Sequence, residues 1–194
     1  MTALILASAS KARAALLKAA QVPFTIVPAE IDEDRVKAGG GSGSDVAGKL
    51  AGLKALWVTR QHPAALVLGA DQVLEFEGQI LSKGRDHNEA LQILRRLRGK
   101  EHRLITAVAL AQRGDILWRH KEEAVLAMRP FSDEFLHAYV VREGEAVLSS
   151  VGGYQLEGAG AQLFARIEGD YFSILGLPLL PVLDALRERG VIAT

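Results

Sequence analysis

Cysteine is absent from the 194-residue chain. Without thiols the protein can form no disulfide framework, thiolate nucleophile, cysteine-ligated zinc site or iron–sulfur cluster. A bound metal would therefore have oxygen or imidazole ligands. Imidazole is the weaker option, because the five histidines show no metal-binding spacing such as His-x-x-x-His. They are His62, His87, His102, His120 and His137.

The chain has no excess charge of either sign, since it has 23 Lys and Arg residues and 23 Asp and Glu residues. Aromatic residues make up only 6% of it. Binding to nucleic acid usually requires a basic surface with aromatic side chains for stacking, and this composition provides neither. We expect no nucleic-acid partner, and any anion-binding site must be local.

A long hydrophobic run is also missing. The longest uncharged apolar stretch, residues 171–183, is interrupted by Gly176, Pro178 and Pro181, and it is shorter than the roughly 18 residues that a membrane span requires. The first 20 residues lack the basic start of a signal peptide. We therefore expect a soluble, cytoplasmic protein with no membrane partner.

Strands and helices alternate in the first half of the chain, whereas long strands dominate the middle. This order predicts an α/β protein with a mixed sheet, and the length is typical of one domain. The predicted strands are residues 4–7, 24–27, 64–74, 80–83, 102–112, 116–129 and 163–167. The predicted helices run to about 20, from 45 to about 62, from 86 to 98, from 132 to about 142, and from about 178 to 189.

Three polar segments are predicted as loops. Residues 30–34 are acidic, residues 168–171 lie between a strand and a helix, and residues 39–44 contain only Gly and Ser. The Gly/Ser segment lacks both the preceding strand and the Gly-Lys-Ser/Thr ending of a phosphate-binding P-loop, so we interpret it as a mobile surface loop. Asp45 is suited to cap the helix that follows.

The segment from Ser8 to Arg13 links the first strand to the first helix. Free backbone N–H groups and the helix dipole favour an anion at such a position, and Ser8, Ser10 and Arg13 offer further donors. The segment therefore predicts a phosphate site. The alternative is a serine cap followed by basic side chains that face solvent.

Asp71 lies within a strand that is otherwise apolar. An ionised carboxylate in such surroundings is costly unless it is paired or bound to a metal, so Asp71 is a candidate general base or metal ligand. The acidic pair Asp32 and Glu33 could bring a second carboxylate to a cation such as Mg²⁺. The alternatives are a structural pairing of Asp71 with a lysine and a merely solvated acidic loop.

Lys54 and Lys83 could each reach a phosphate as a point charge, although a lysine is more often a surface residue. No Gly-x-Ser-x-Gly segment is present, so the pattern offers no serine-hydrolase nucleophile.

In combination these segments resemble the Maf family of nucleotide pyrophosphatases, from Leu4 to about Leu186. The motifs that carry the resemblance are Leu6-Ala7-Ser8-Ala9-Ser10 with Arg13, Asp32-Glu33, Leu50-Ala51 with Lys54-Ala55, Gly69-Ala70-Asp71, Lys83, Gly153-Tyr154, Glu157-Gly158, Gly169-Asp170-Tyr171 and Gly176-Leu177-Pro178-Leu179. The resemblance implies a single Maf-like domain over residues 1–194. Its fold would be an elongated mixed β-sheet flanked by helices, with two lobes and a cleft, similar to inosine triphosphate pyrophosphatases.

The resemblance also implies an activity, the hydrolysis of a nucleoside triphosphate to the monophosphate and pyrophosphate with Mg²⁺ or Mn²⁺. The implied catalytic residues are Asp71, Glu33 and Lys83, and Asp71 and Glu33 would also bind the metal. The implied substrate-binding residues are Ser8, Ser10, Arg13, Lys54, Gln72 and Glu157.

Several positions depart from the family pattern. Ala12 stands where a second arginine is usual, Gly84 replaces a proline after Lys83, and Ser150 replaces a late lysine. These departures bear on the expected rate of hydrolysis more than on the expected fold. They support an alternative in which the protein is a non-catalytic, nucleotide-binding regulator of cell division.

The identity of the base depends on two positions. Gln72 and Glu157 resemble the family branch that prefers 7-methyl-GTP, and a carboxylate can accept both the N1–H and the N2–H of guanine. The tryptophan of that branch is replaced by Ala12, and Tyr154 is the residue that could substitute as a stacking surface. The alternative substrate is dTTP or UTP. A homodimer is compatible with the long middle strands.

Overall fold

The computed structural model describes residues 2–193. Its strands are β1 (Leu4–Leu6), β2 (Thr25–Ile26), β3 (Leu66–Phe76), β4 (Gln79–Leu81), β5 (Glu101–Gln112), β6 (Asp115–Met128) and β7 (Phe164–Glu168). Its α-helices are α1 (Lys11–Ala19), α2 (Glu33–Ala38), α3 (Gly43–Thr59), α4 (His87–Leu97), α5 (Asp133–Glu143), α6 (Tyr171–Ile174) and α7 (Leu179–Glu188). Two short 3₁₀-helices cover Gly144–Leu148 and Ala159–Leu163.

The strands form one mixed sheet in the order β2-β1-β3-β5-β6-β7, with β4 paired to β3. Strand β1 runs parallel to β2 and β3, whereas β3 pairs with β4 and β6 pairs with β7 in antiparallel fashion. All three residues of β1 are buried, as is typical of a parallel strand covered on both faces. The predicted α/β class with a mixed sheet flanked by helices is confirmed.

The chain divides into two compact units, which match the expected two lobes. Unit 1 comprises residues 2–72, 106–122 and 170–193, and unit 2 comprises residues 73–105 and 123–169. Leucines of β1, α1, β3 and α7 form the core of unit 1, among them Leu6, Leu17, Leu68 and Leu186. The expectation of a cleft and that of a single domain stay predictions.

Within unit 1, α3 packs unusually close to β3 at Gly69. A Cβ atom on Gly69 would lie 2.2 Å from the backbone oxygen of Ala51 and 2.7 Å from the backbone nitrogen of Ala55. Only glycine permits this approach, since real Cβ atoms do not come so near to backbone atoms. Lys54 lies between these two residues on α3 and Asp71 lies two residues after Gly69 on β3, so the close approach at Gly69 brings the two side chains together.

Two of the predicted loops are partly helical. Glu33 begins α2, and the side chain of Asp32 caps the helix by accepting from the N–H of Arg35 at 2.9 Å. The Gly/Ser segment ends in α3, where Ser42 is the N-cap and Asp45 is the third residue of a capping box. The prediction that Asp45 is the N-cap was therefore wrong, because Ser42 is the N-cap and Asp45 lies three residues later in the first turn of α3.

The apolar stretch 171–183 is divided between α6 and α7. Asp170 caps α6 by accepting from the N–H of Ser173 at 2.6 Å, so the predicted loop 168–171 ends in a helix. Among the helices within residues 2–193, none has the length and apolar character that crossing a bilayer requires.

Candidate active site

Two carboxylates of unit 1 share one ammonium group. Asp71 on β3 and Lys54 on α3 are 5% and 8% exposed, and Lys54 Nζ lies 2.6 Å from Asp71 Oδ1. The same Nζ lies 2.7 Å from Oε1 of Glu33, at the start of α2. The sequence left open whether Asp71 pairs with a lysine and whether a second carboxylate joins it. The structure shows both, with Lys54 as the lysine and Glu33 as the second carboxylate.

The two carboxyl groups are shifted in opposite directions. Burial raises the pKa of Asp71 above its ordinary value, although the positive charges of Lys54 and Arg13 oppose the shift. Burial also acts to raise the pKa of Glu33, but the hydrogen bond and charge of Lys54 outweigh it, and the net shift is downward. Asp71 is therefore the better proton acceptor of the two.

Arg13 connects three distant parts of unit 1. Its Nε donates to the carbonyl of Gly176 at 2.8 Å, and its Nη1 donates to the carbonyl of Ala70 at 3.1 Å and to Ser8 Oγ at 3.0 Å. Burial lowers the pKa of Arg13 and the charges of Asp71 and Glu33 counteract that shift. Among the described residues, no group accepts from Nη2.

Ser8 and Ser10 have different tasks. Ser10 is the N-cap of α1 and its Oγ accepts from the N–H of Arg13 at 3.4 Å. Ser8 is buried, and its Oγ accepts two hydrogen bonds, from Arg13 Nη1 and from the N–H of Ser10. A hydroxyl that accepts two bonds keeps its single hydrogen to donate elsewhere, which suits an anion at the start of α1.

A network that the sequence analysis missed holds the residue after Asp71. Gln72 Nε2 donates to Thr106 Oγ1 at 2.9 Å and to the carbonyls of Ser173 and Ile174 at 3.0 Å each. Ser173 Oγ in turn donates to Oε2 of Glu122 at 2.6 Å. The only signal for it in the sequence is a polar residue, Ser173, in the apolar stretch 171–183.

The candidate site residues are distributed over both units. Unit 1 contains seven of them: Ser8, Ser10 and Arg13 are linked by hydrogen bonds, Glu33, Lys54 and Asp71 are linked by ion pairs, and Gln72 follows Asp71 on β3. Lys83, after β4, and Glu157 belong to unit 2, and both are exposed. The roles of all nine residues stay predictions.

Tyr154 does not offer a stacking surface. It is 4% exposed, its hydroxyl lies 2.6 Å from Nε2 of His102, and its ring packs edge-on against Phe164 at 4.9 Å between centroids. The expectation that Tyr154 replaces the missing tryptophan was wrong, because the aromatic ring is part of the core of unit 2.

The donor set of Asp71 and Glu33 fits a hard divalent cation. Mg²⁺ in nucleotide enzymes is usually held by one or two carboxylates, with water and substrate phosphates as the remaining ligands. No group of three or more potential ligands from His, Asp and Glu occurs within residues 2–193. Asp71 and Glu33 provide two carboxylates, which is the number of protein ligands that such a cation usually takes.

A profile of the family described as Maf-like protein matches residues 3–189. The chain belongs to the Maf-like family. It is 50% identical over 190 residues to a nucleoside triphosphate pyrophosphatase of Granulibacter bethesdensis, with 96% of each chain covered. It is 48% identical over 193 residues to a 7-methyl-GTP pyrophosphatase of Rhizobium meliloti, with 97% of each covered.

A solved structure is also similar to this Maf-like chain. It is described as a nucleoside-triphosphatase or dITP/XTP pyrophosphatase from Mycobacterium abscessus, and the similarity has a TM-score of 0.45 at 14% identity. It covers 98% of this chain and 96% of that one. A likeness this low supports no conclusion, so the predicted similarity to inosine triphosphate pyrophosphatases stays a prediction.

Proposed function

We propose that this Maf-like protein is a nucleoside triphosphate pyrophosphatase that cleaves its substrate between the α and β phosphates, using Mg²⁺ or Mn²⁺. The observation that carries the proposal is the cluster of the buried Asp71 and Lys54 with the partly exposed Glu33, which lies within the electrostatic influence of Arg13. Its support from relatives is the activity named for proteins of 48–50% identity. A cytoplasmic location, with access to nucleoside triphosphates, is part of the proposal.

Phosphate binding is assigned to the start of α1 and to the lysines. Ser8 donates its hydroxyl hydrogen, Arg13 donates from Nη2, and the free N–H groups of the first turn of α1 attract negative charge. Lys54 neutralises further phosphate oxygens as a point charge, and a phosphate-binding role of Lys83 stays a prediction from the family resemblance. These groups position the triphosphate, which is most of what phosphoryl transfer requires of a protein.

Proton transfer is assigned to Asp71. A water oxygen attacks the α phosphorus, the bond from that phosphorus to the bridging oxygen breaks, and pyrophosphate departs with the bonding electrons. Asp71 accepts the proton of the attacking water, and its raised pKa favours that role. A divalent cation bound by Asp71 and Glu33 would neutralise charge on the phosphates.

For the base we propose a guanine nucleotide, with 7-methyl-GTP preferred. The support is the name of one relative, 7-methyl-GTP pyrophosphatase, together with Gln72 and Glu157. Glu157 is exposed, so its carboxylate is accessible to a base. Gln72 donates to backbone carbonyls through its side-chain nitrogen, so its contribution would be made through the side-chain oxygen or through the position of Asp71.

The test is a panel of triphosphates, namely 7-methyl-GTP, GTP, ITP, dTTP, UTP and ATP, with Mg²⁺ or Mn²⁺. Products are separated by anion-exchange chromatography, and ¹⁸O-labelled water identifies the attacked phosphorus. We expect pyrophosphate and labelled monophosphate, at the highest kcat/KM with 7-methyl-GTP. Orthophosphate with a diphosphate, or no turnover of any triphosphate, would contradict the activity. Faster turnover of dTTP or UTP would contradict only the choice of base.

A further inference from the structure

Lys54 contacts one oxygen of each carboxylate that a metal would need. Its Nζ is within 2.7 Å of one oxygen of Asp71 and one oxygen of Glu33, and these are the two carboxylates whose chemistry fits a divalent cation. An ammonium at hydrogen-bond distance from a carboxylate oxygen prevents a cation from binding to that oxygen at about 2.1 Å. One side chain therefore competes with a metal for one oxygen of each carboxylate and places a positive charge beside both.

We propose that Lys54 and the divalent cation compete for the oxygens of Asp71 and Glu33, so that metal binds tightly only together with the triphosphate. The inference rests on the proposed function, because it needs a phosphate substrate that draws Lys54 away. It assigns Lys54 a second role, that of a counter-ion which keeps the carboxylates neutralised until the substrate arrives.

Electrostatics at a buried site favours this competition. Asp71 and Lys54 are nearly inaccessible to solvent, so charges there interact more strongly than they would in water. A divalent cation next to an unmoved Lys54 ammonium would meet strong repulsion. An ion pair left without one partner is also unfavourable at such a site, so Lys54 exchanges one set of oxygens for another and does not simply leave.

Lys54 can move whereas Arg13 cannot. The backbone of α3 is held against β3 by the close approach at Gly69, so any displacement of Lys54 must occur in its flexible four-carbon stem. The Nε and Nη1 of Arg13 are fixed by the carbonyls of Gly176 and Ala70. Of the two cations, only Lys54 can pass from carboxylates to phosphates.

Glu33 keeps a second positive neighbour when Lys54 withdraws. Lys37 Nζ lies 3.6 Å from Glu33 Oε2, one turn further along α2, and both side chains are partly exposed. Lys37 is therefore a matched control for Lys54, since it also carries one positive charge beside Glu33 but has no contact with Asp71.

The test measures Mn²⁺ binding by electron paramagnetic resonance, with and without an α,β-methylene triphosphate that cannot be cleaved. For the natural protein we expect Mn²⁺ affinity at least 10-fold higher with the analogue than without it. Lys54→Met should raise the affinity for Mn²⁺ alone at least 10-fold, while Lys54→Arg and Lys37→Met should leave it nearly unchanged. Circular dichroism checks that each variant is folded.

Equal Mn²⁺ affinity of the natural protein with and without the bound analogue would overturn the proposal. This comparison needs no variant, so it decides the matter even where Lys54→Met fails to fold. The measurement involves no turnover. Pyrophosphate release from the panel combined with equal Mn²⁺ affinities would refute only the competition, whereas absent turnover would refute the proposed function itself.

Discussion

The two units of the molecule treat charge differently. Among residues 2–193, the buried lysine and the buried aspartate, Lys54 and Asp71, both belong to unit 1. In unit 2 the charged pairs lie at the surface, as in Arg103 with Glu123 at 2.6 Å and Arg85 with Glu89. The buried His102 and Tyr154 of unit 2 are paired with each other at 2.6 Å instead of with a lysine or a carboxylate.

Under the proposed function, this difference distinguishes charged residues that act on the substrate from charged residues that only face solvent. Burying an ion pair seldom stabilises a fold, because the loss of hydration offsets the attraction between the charges. Surface pairs contribute little but also carry little penalty. Unit 1 therefore tolerates an arrangement that stability alone does not favour, and the variants below measure how far the two units differ.

The largest expected effect is on activity and comes from Asp71→Asn. The amide can neither accept a proton from water nor neutralise a cation, so we expect kcat for pyrophosphate release to fall by about 10²–10⁴-fold, with the far-UV spectrum unchanged. Asp32→Asn is the matched control, because asparagine also caps helices well. Full activity of Asp71→Asn would refute its assignment as the proton acceptor.

The next effect is on stability and comes from Gly69→Ala. The added methyl group would push α3 away from β3, and we expect the free energy of unfolding to fall by about 3 kcal/mol or more. Gly48→Ala is the control on the same helix, since its Cβ would meet only the Lys121 side chain at 3.7 Å. It should stabilise the protein by about 0.5–1 kcal/mol. Urea denaturation measures both, and equal effects would show that no close approach exists.

Acid should destabilise the protein through His102. Burial lowers the pKa of His102 from 6.5 to about 4, and Nδ1 has no hydrogen-bond partner among the described residues. The unfolded chain takes up a proton as the pH falls through about 6.5, whereas the folded chain does so only near 4. Stability is therefore complete above pH 6.5 and declines below it, by about 3 kcal/mol at pH 4.

The measurement is the urea midpoint at several pH values between 7 and 4. His102→Gln removes the titrating group, so its stability should decline less over this range than that of the natural protein. Parallel declines of the two proteins would show that His102 does not carry the effect.

The smallest difference is expected between two arginines. Arg13→Lys loses the planar guanidinium that serves Gly176, Ala70 and Ser8, and an acceptor left unpaired costs about 1–3 kcal/mol of stability. Arg85→Lys retains its charge beside Glu89 at the surface, so we expect no measurable change. Thermal unfolding measures the melting temperature of both variants. Equal decreases for Arg13→Lys and Arg85→Lys would show that the two arginines contribute equally to stability.

The long elements could be predicted from the sequence, because their hydrophobic periodicity extends over many residues. Both ends of the strands β3, β5 and β6 and of the helix α4 were predicted to within two residues. The short helices α2 and α6 were missed, since six and four residues contain too little periodicity. They depend on the caps provided by Asp32 and Asp170, which a loop prediction does not weigh.

The site was predictable in its residue types but not in its contacts. Asp71 is conspicuous as a carboxylate in an apolar strand, and Lys54 was a candidate on general grounds. Nothing in the sequence indicates that Arg13 donates to the carbonyls of Ala70 and Gly176, because main-chain acceptors leave no pattern. For the same reason the Gln72 network was invisible.

The bond from Arg13 to Gly176 joins residues 163 positions apart along the chain. Closing so long a loop costs more conformational entropy than forming local structure, so it is also slower. On the ribosome, Arg13 obtains this acceptor only after Gly176 has emerged. A chain cut before Gly176 would lack this acceptor, so Arg13 completes its hydrogen bonds only after residue 176 has been made.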